Sequence, residues 1–365
     1  MSEFDRIELG KQAKQYGFVR DTYEKVCRLS QVLAFIENDN FLNQALALKG
    51  GTAINLMFFN LPRLSVDIDL DLIHNLPREE MIKAKELITE KFHTFMRNQG
   101  YTLEEKNSKT THALNSSVFS YMNTGGVKDR IKIEINYMLR EHILKPEMRS
   151  VKEIQGFSAS KILCINPIEI YGAKITALIS RGAARDLYDV NSMLKSQMFS
   201  AKDLELLRKC VVFYKTLNSE EAFNCFDFSV IDKITFSKIK ADLLPVISSS
   251  EKKFALPETI TFVKEQLEEL LQMTPKEIEF VERYFKKDYR PELLFDSGEI
   301  CSRLKSHPMV QWKYSKMELP KIEEKKPSIL AQIKSIKAEQ DKHNQAHNHE
   351  RSEKKQNISN KKDCL

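Results

Sequence analysis

The sequence predicts an α+β fold, mixed toward α/β, with a small mixed sheet in its first half and a helical second half. Three observations carry this expectation. Segments 66–73 and 131–137 alternate apolar and polar residues with a period of two, as strands with one buried face do. The segments around them keep helical spacing instead. Ten of the eleven glycines fall at or before Gly182, so tight turns crowd the first half.

The elements follow in order. Val26, Leu29, Leu33 and Ile36 predict a helix over about 22–38 with one inward face. A short helix follows Asn40, and Ile54–Phe59 reads as a short buried helix ended by Asn60 and Pro62. Val66–Ile73 is a strand by its alternation. Pro77 and Arg78 open a helix to about Gln99. Segments 101–105 and 110–121 read as further strands, Gly125-Gly126 as a turn, and Ile131–Tyr137 as the second clean alternation. Pro167 starts a helix to about Ser180, and another begins near Ala184.

From Ala201 to about Lys313 the pattern is of long, charged amphipathic helices punctuated by prolines. The segment from Lys321 on is rich in charged and amide residues and nearly devoid of large apolar residues after Ile336, which predicts a disordered tail, with its three histidines solvated. The expected division is therefore a helical segment (1–40), a strand-bearing domain (41–195), a helical domain (196–317) and a charged tail (318–365).

Composition narrows the function classes. The 365 residues are 42% apolar and 30% charged, as in soluble globular proteins. No window approaches the roughly 18 apolar residues of a membrane span, and the acidic start is unlike a secretory signal. Six scattered cysteines without a CxxC pair or zinc spacing read as reduced thiols of a cytoplasmic protein. The net charge is +6, but residues 320–365 hold eleven Lys and Arg against seven Asp and Glu. A surplus of four in the tail leaves about +2 for the rest, little support for a surface that coats nucleic acid.

The chemistry concentrates in carboxylates. Asp67 and Asp69 leave one face of a strand while Val66, Ile68, Leu70 and Leu72 bury the other. Such neighbours repel unless solvent or a divalent cation compensates, and oxygen-only donors at this spacing suit Mg²⁺. A solvated strand face is the alternative. If strand 131–137 lies beside this one with apolar faces aligned, Glu134 joins the pair, and a two-metal site becomes plausible.

Lys49-Gly-Gly-Thr52 leads into a helix, where glycines let backbone N–H groups approach a phosphate. A plain turn with Thr52 as helix cap is the alternative. Lys174, Ala177, Leu178 and Arg181 form one helical stripe with a cation at each end, able to hold a triphosphate. The competing reading is a helix pair tied by Arg185–Asp189 and similar surface bridges.

Taken in order, Lys49-Gly-Gly-Thr-Ala, Pro62-Arg63-Leu-Ser65-Val-Asp67-Ile-Asp69, Lys132-Ile-Glu134 and Lys174…Arg181…Arg185-Asp186-Leu-Tyr188-Asp189 resemble the AbiEii/AbiGii-type toxin family. Its members are nucleotidyltransferases of the polymerase β superfamily from abortive-infection and type IV toxin–antitoxin systems, with MenT toxins among the relatives. The resemblance covers about residues 40–195.

It implies a polymerase β-like nucleotidyltransferase domain over 41–195, followed by the helical domain. Asp67, Asp69 and Glu134 would be catalytic metal ligands, Glu134 standing where Asp is common. Gly50, Gly51 and Thr52 would form the phosphate-side turn, where the superfamily's Gly-Ser is here Gly-Gly-Thr; Thr52 would supply a hydroxyl or only a cap. Ser65, Lys174 and Arg181 would bind the nucleotide, with Asp186 near the site as the acid of the RDxYD segment. Tyr188 and Asp189 fit a structural role equally well.

The reaction implied is transfer of a nucleotide from an NTP to an acceptor hydroxyl with two Mg²⁺ ions. The acceptor would be RNA, a tRNA 3′ end, in a toxin–antitoxin or phage-defence system with a cognate antitoxin. An NTP-dependent kinase, a protein-nucleotidylating enzyme and a non-catalytic NTP sensor are the alternatives on the same fold.

Overall fold

Three helices lead into the sheet: α1 (Arg6–Tyr16), α2 (Arg20–Asn38) and α3 (Asn40–Ala45). The structure is a computed structural model that describes residues 4–59, 61–153, 160–251 and 254–317. The expected tail over 318–365 lies outside the described residues. On α2 the apolar stripe is fully buried, as its spacing requires. Asp39 ends α2 and caps α3, accepting from the backbone N–H groups of Phe41 and Leu42. Within the expected helical segment 1–40, α1 was not singled out as an element; it buries only Leu9, Gln12 and Ala13. That face is too sparse to register as a period.

Eight strands among the described residues form one mixed sheet. They are β1 (Leu46–Lys49), β2 (Asp67–Leu72), β3 (Thr102–Leu103), β4 (Lys109–Thr110), β5 (Leu114–Met122), β6 (Lys128–Asn136), β7 (Glu147–Ser150) and β8 (Lys161–Cys164). Their order is β3-β5-β6-β2-β1-β8-β7, with β4 also on β5. At the centre β2 runs antiparallel to β1 and parallel to β6. Ile68 pairs with Ile133 and Leu70 with Ile135, so the apolar faces align. A parallel pair needs a long crossover, supplied here by the chain between Ile73 and Val127.

Helix α4 (Gly50–Ala53) leaves β1 directly and runs into a π-helical turn, Ile54–Phe58. Helix α5 (Arg78–Asn98) turns Met81, Ile88, Phe92 and Met96 inward. Beyond the sheet come α6 (Pro167–Arg181), α7 (Ala184–Ser196) and α8 (Ala201–Asn218). The Asn166 side chain caps α6 and Gly182 closes it in the left-handed conformation. Helix α8 packs on α6.

The second half departs from the expected long helices between 219 and 255. That stretch holds only α9 (Ser229–Asp232), α10 (Phe236–Lys238), a π-helical turn at Ile239–Leu243 and a 3₁₀ turn at Ser249–Glu251. Asp227 accepts from the N–H and hydroxyl of Ser229, and Pro245 removes a backbone donor, so helical hydrogen bonding cannot run through. Regular helices resume with α11 (Leu256–Leu270), α12 (Pro275–Phe285), α13 (Gly298–Leu304) and α14 (Pro308–Lys316).

This helical half grips the sheet-bearing half at two loops. Before β2, the Leu64 N–H donates to the Val246 carbonyl at 2.7 Å, and Arg63 bridges Ile247. After β6, the Arg303 guanidinium donates to the carbonyls of His142 and Ile143 at 3.4 and 2.7 Å. The described residues up to Met317 belong to one compact unit. No helix among them is long and apolar enough to cross a membrane.

Candidate active site

The register of β2 against β6 decides the site. Asp67 stands opposite Lys132 and Asp69 opposite Glu134. Because alternate residues share a face, Asp67, Asp69, Lys132 and Glu134 leave the sheet together, away from the buried isoleucines and leucines. The condition on which Glu134 joins the aspartates is met. Its carboxylate, however, lies 2.5 Å from the Lys132 ammonium.

The glycine turn closes over this face. Lys49, the last residue of β1, pairs with Asp69 of β2. Gly50 then takes a left-handed φ of 69°, and a Cβ there would stand 2.5 Å from Asp69 Oδ2. Both conditions select glycine. A Cβ on Gly51 would meet Arg63 Nη2 at 2.8 Å and Ser65 Oγ at 3.0 Å, so this backbone too lies against the site.

Thr52 is fully buried, and its hydroxyl donates to the Asp67 carbonyl. It lies inside α4, whose cap position is Lys49, so the expected cap is not Thr52. In this structure the hydroxyl fastens the turn to β2.

Helices α6 and α7 contribute an ion-pair cluster. Lys174 Nζ lies 3.0 Å from Asp186 Oδ1 and 3.2 Å from Asp189 Oδ2. Arg181 Nε binds Asp186 Oδ2 at 2.8 Å. Arg63 grips Asp189 with two nitrogens at 2.7 and 2.6 Å, and both partners are buried. The stripe of Lys174 and Arg181 therefore exists, but both cations are held by carboxylates. The alternative Arg185–Asp189 bridge does not form. Asp189 is instead paired with Arg63 and Lys174, and Arg185 has no ion-pair partner among the described residues. The Tyr188 hydroxyl donates to the Pro62 carbonyl at 3.3 Å.

Electrostatics divide the carboxylates. Burial pushes the Asp69 carboxyl above its ordinary value, the Lys49 ammonium opposes it, and Glu134 and Asp67 push the same way as burial. Burial would also raise Asp186 and Asp189. For Asp186, Lys174 and Arg181 outweigh it, and for Asp189 Arg63 and Lys174 do, so both stay below the ordinary carboxylate range. Burial disfavours the Lys174 ammonium, but Asp189 and Asp186 more than compensate and raise its pKa.

A cavity of about 330 Å³ opens among these groups, with Ser65, Asp67, Asp69, Glu134, Arg181 and Arg185 on its walls. It combines hard oxygen donors with cations, the pairing a metal–phosphate ligand requires. Asp67 and Asp69 fit a divalent cation by donor chemistry, and the like-charge pressure on Asp69 is what a cation would relieve. Among the described residues no group of three or more His, Cys, Asp or Glu side chains stands ready to hold a metal, and Glu134 is engaged by Lys132.

Sequence reasoning missed Arg63, Asp71 and Arg185 as members of this environment. Asp71 continues the alternation of β2, and its Oδ1 lies 2.5 Å from Lys49 Nζ. The strand period alone could have found it. Arg63 could not be found that way, since its partner Asp189 is 126 positions away.

Comparison with known proteins bears on the fold and the family. No curated protein matches the chain. Among solved structures it is similar to MenT4, a nucleotidyltransferase toxin of Mycobacterium tuberculosis H37Rv. The identity is 16%, the TM-score 0.59, and the match covers 80% of this chain and 98% of that one, a likeness of fold. The family described as nucleotidyl transferase AbiEii toxin, type IV TA system, matches residues 33–273. That span includes the glycine turn, the carboxylate strands and the ion-paired helices, and the chain belongs to the AbiEii family of nucleotidyltransferase toxins.

Proposed function

We propose that this nucleotidyltransferase moves a nucleoside monophosphate from an NTP to a hydroxyl of RNA, at a tRNA 3′ end, with Mg²⁺ held by Asp67 and Asp69. The observation that carries the proposal is the Asp69–Glu134 register, which brings Glu134 to the face of both aspartates beneath the glycine turn. Mg²⁺ bound there would acidify the attacking hydroxyl and neutralise the leaving pyrophosphate.

The chain's own groups do the rest. The backbone at Gly50 and Gly51, where no side chain intervenes, takes the phosphate side, with Ser65 beside it. Arg185, without an ion-pair partner, and Arg181 meet the phosphates, while Lys174 holds Asp186 and Asp189 ionised at the edge of the site. Glu134, now paired with Lys132, would be the third carboxylate available to the metal. Residues 41–195 carry the chemistry and 196–317 brace it.

Family membership implies an NTP substrate and an antitoxin partner. A cytoplasmic location and a role in phage defence complete the proposal. Incubation with total RNA and each α-³²P NTP, with Mg²⁺ or with EDTA, tests it. Label on tRNA only with Mg²⁺ is expected. Label on protein alone would favour protein nucleotidylation, and label unaffected by EDTA would remove the metal.

A further inference from the structure

Asp67, Asp69 and Asp71 alternate along β2 and therefore share the face that bears the site. Lys49 ends β1 directly opposite Asp69, and Ala47 stands opposite Asp71. Directly opposed residues of an antiparallel pair have Cβ atoms about 5 Å apart, so Asp69 is the natural partner of the Lys49 ammonium. The side chain reaches past it. Lys49 Nζ lies 2.5 Å from Asp71 Oδ1, on the diagonal. Among the described residues no hydrogen bond or ion pair engages the Asp69 carboxylate.

Asp71 wins the ammonium because it is the deeper carboxylate. Its side chain is 2% exposed, and its Oδ2 lies 3.9 Å from His142 Nε2. Behind it, His142 Nδ1 lies 3.0 Å from Glu169 Oε1, and the Tyr214 hydroxyl and the backbone N–H groups of Ile143 and Leu144 donate to the Glu169 carboxylate. A buried carboxylate without a cation costs more than one that opens on a cavity, as Asp69 does. The other lysine whose charge reaches Asp69 is held off in the same way. Lys174 favours ionised Asp69 through space, yet its ammonium is paired with Asp186 and Asp189.

We propose that Asp71 is a positioning residue of the metal site: it holds the Lys49 ammonium off Asp69 and so leaves the Asp69 carboxylate open to the divalent cation. The inference rests on the reading that Asp67 and Asp69 hold Mg²⁺. An ammonium on Asp69 would occupy the oxygen lone pairs that a metal ion needs. Held on Asp71, the same ammonium still favours ionised Asp69 without covering it.

Binding of Mn²⁺, as a stand-in for Mg²⁺, to the full chain tests this, read from the electron paramagnetic resonance of the free ion. Asp71→Asn keeps the side chain's shape and frees Lys49 for Asp69. It should weaken Mn²⁺ binding by about 10- to 100-fold. Asp71→Ser is the variant to read if the amide does not fold. Lys49→Met in the Asp71→Asn background removes the competitor and should restore most of the lost affinity. In steady-state transfer the Asp71→Asn deficit should shrink as Mg²⁺ rises, because ammonium and metal compete for one carboxylate. Native Mn²⁺ affinity in a folded Asp71 variant would overturn the proposal, as would a double variant that binds no better than Asp71→Asn. Native binding no tighter than that of Asp69→Asn would instead refute the metal reading itself.

Discussion

Asp69 meets opposing influences at one atom pair: burial and two neighbouring carboxylates disfavour its charge, while Lys49 favours it. A cation resolves that conflict and an amide removes it. Asp69→Asn and Asp67→Asn should each lower transfer by more than tenfold, about 1.4 kcal/mol of barrier, in a protein whose melting temperature in EDTA is no lower than the native one. Steady-state rates together with a thermal melt check this. Gly50→Ala adds a Cβ at a left-handed φ, 2.5 Å from Asp69 Oδ2. It should cost about 1–2 kcal/mol from the backbone alone, read in urea unfolding, and reduce activity as well. At this scale much was legible, because a period of two places Asp67, Asp69 and Glu134 on polar faces without knowledge of the pairing. The engagement of Lys174 was not, since no local pattern reports which carboxylates a long cation reaches.

Among the elements, the union of α6, α7 and the loop before β2 depends on buried charge. Asp189 holds both Arg63 and Lys174. Asp189→Asn leaves two buried cations undercompensated, and a loss of about 3–5 kcal/mol in denaturant unfolding is expected. Lys174→Ala should lower both stability and transfer, in contrast to a cation on an open stripe, whose loss would change NTP KM and kcat alone. The His142–Glu169 pair carries a pH signature. Burial disfavours the imidazolium, but Glu169 outweighs it and raises the His142 pKa. The stability it adds is fully present below about pH 6.5 and is lost as pH rises through the raised folded value. His142→Gln should flatten that decline in a series of unfolding curves, and an unchanged slope would remove the pair's role.

The long periodic elements α2, α5, α6, β2 and β6 were readable because each buries one continuous face. Strands β1, β7 and β8 were not. Each has four residues, and β1 is apolar through Leu48 on both faces, so no alternation marks it.

On the scale of the whole molecule, the helical half supports the loops that frame the site, through Val246 at Leu64 and Arg303 at His142. Residues 41–195 expressed alone should therefore fail to give a cooperative unfolding transition, whereas residues 1–317 should. The mixed sheet and the helical second half were legible from the glycine distribution and the two alternations. The grip at the two loops was not, because there it runs through backbone carbonyls and one arginine, which leave no period in the sequence. The central claim is that this fold transfers the α-phosphate of an NTP from a site built on Asp67 and Asp69. It is tested most directly by supplying RNA with each NTP labelled at either the α- or the γ-phosphate, using the native protein and Asp69→Asn. The account predicts α-label on RNA with the native protein, no γ-label, and neither with the variant. Transfer of γ-label, or α-label that persists in Asp69→Asn, would contradict it.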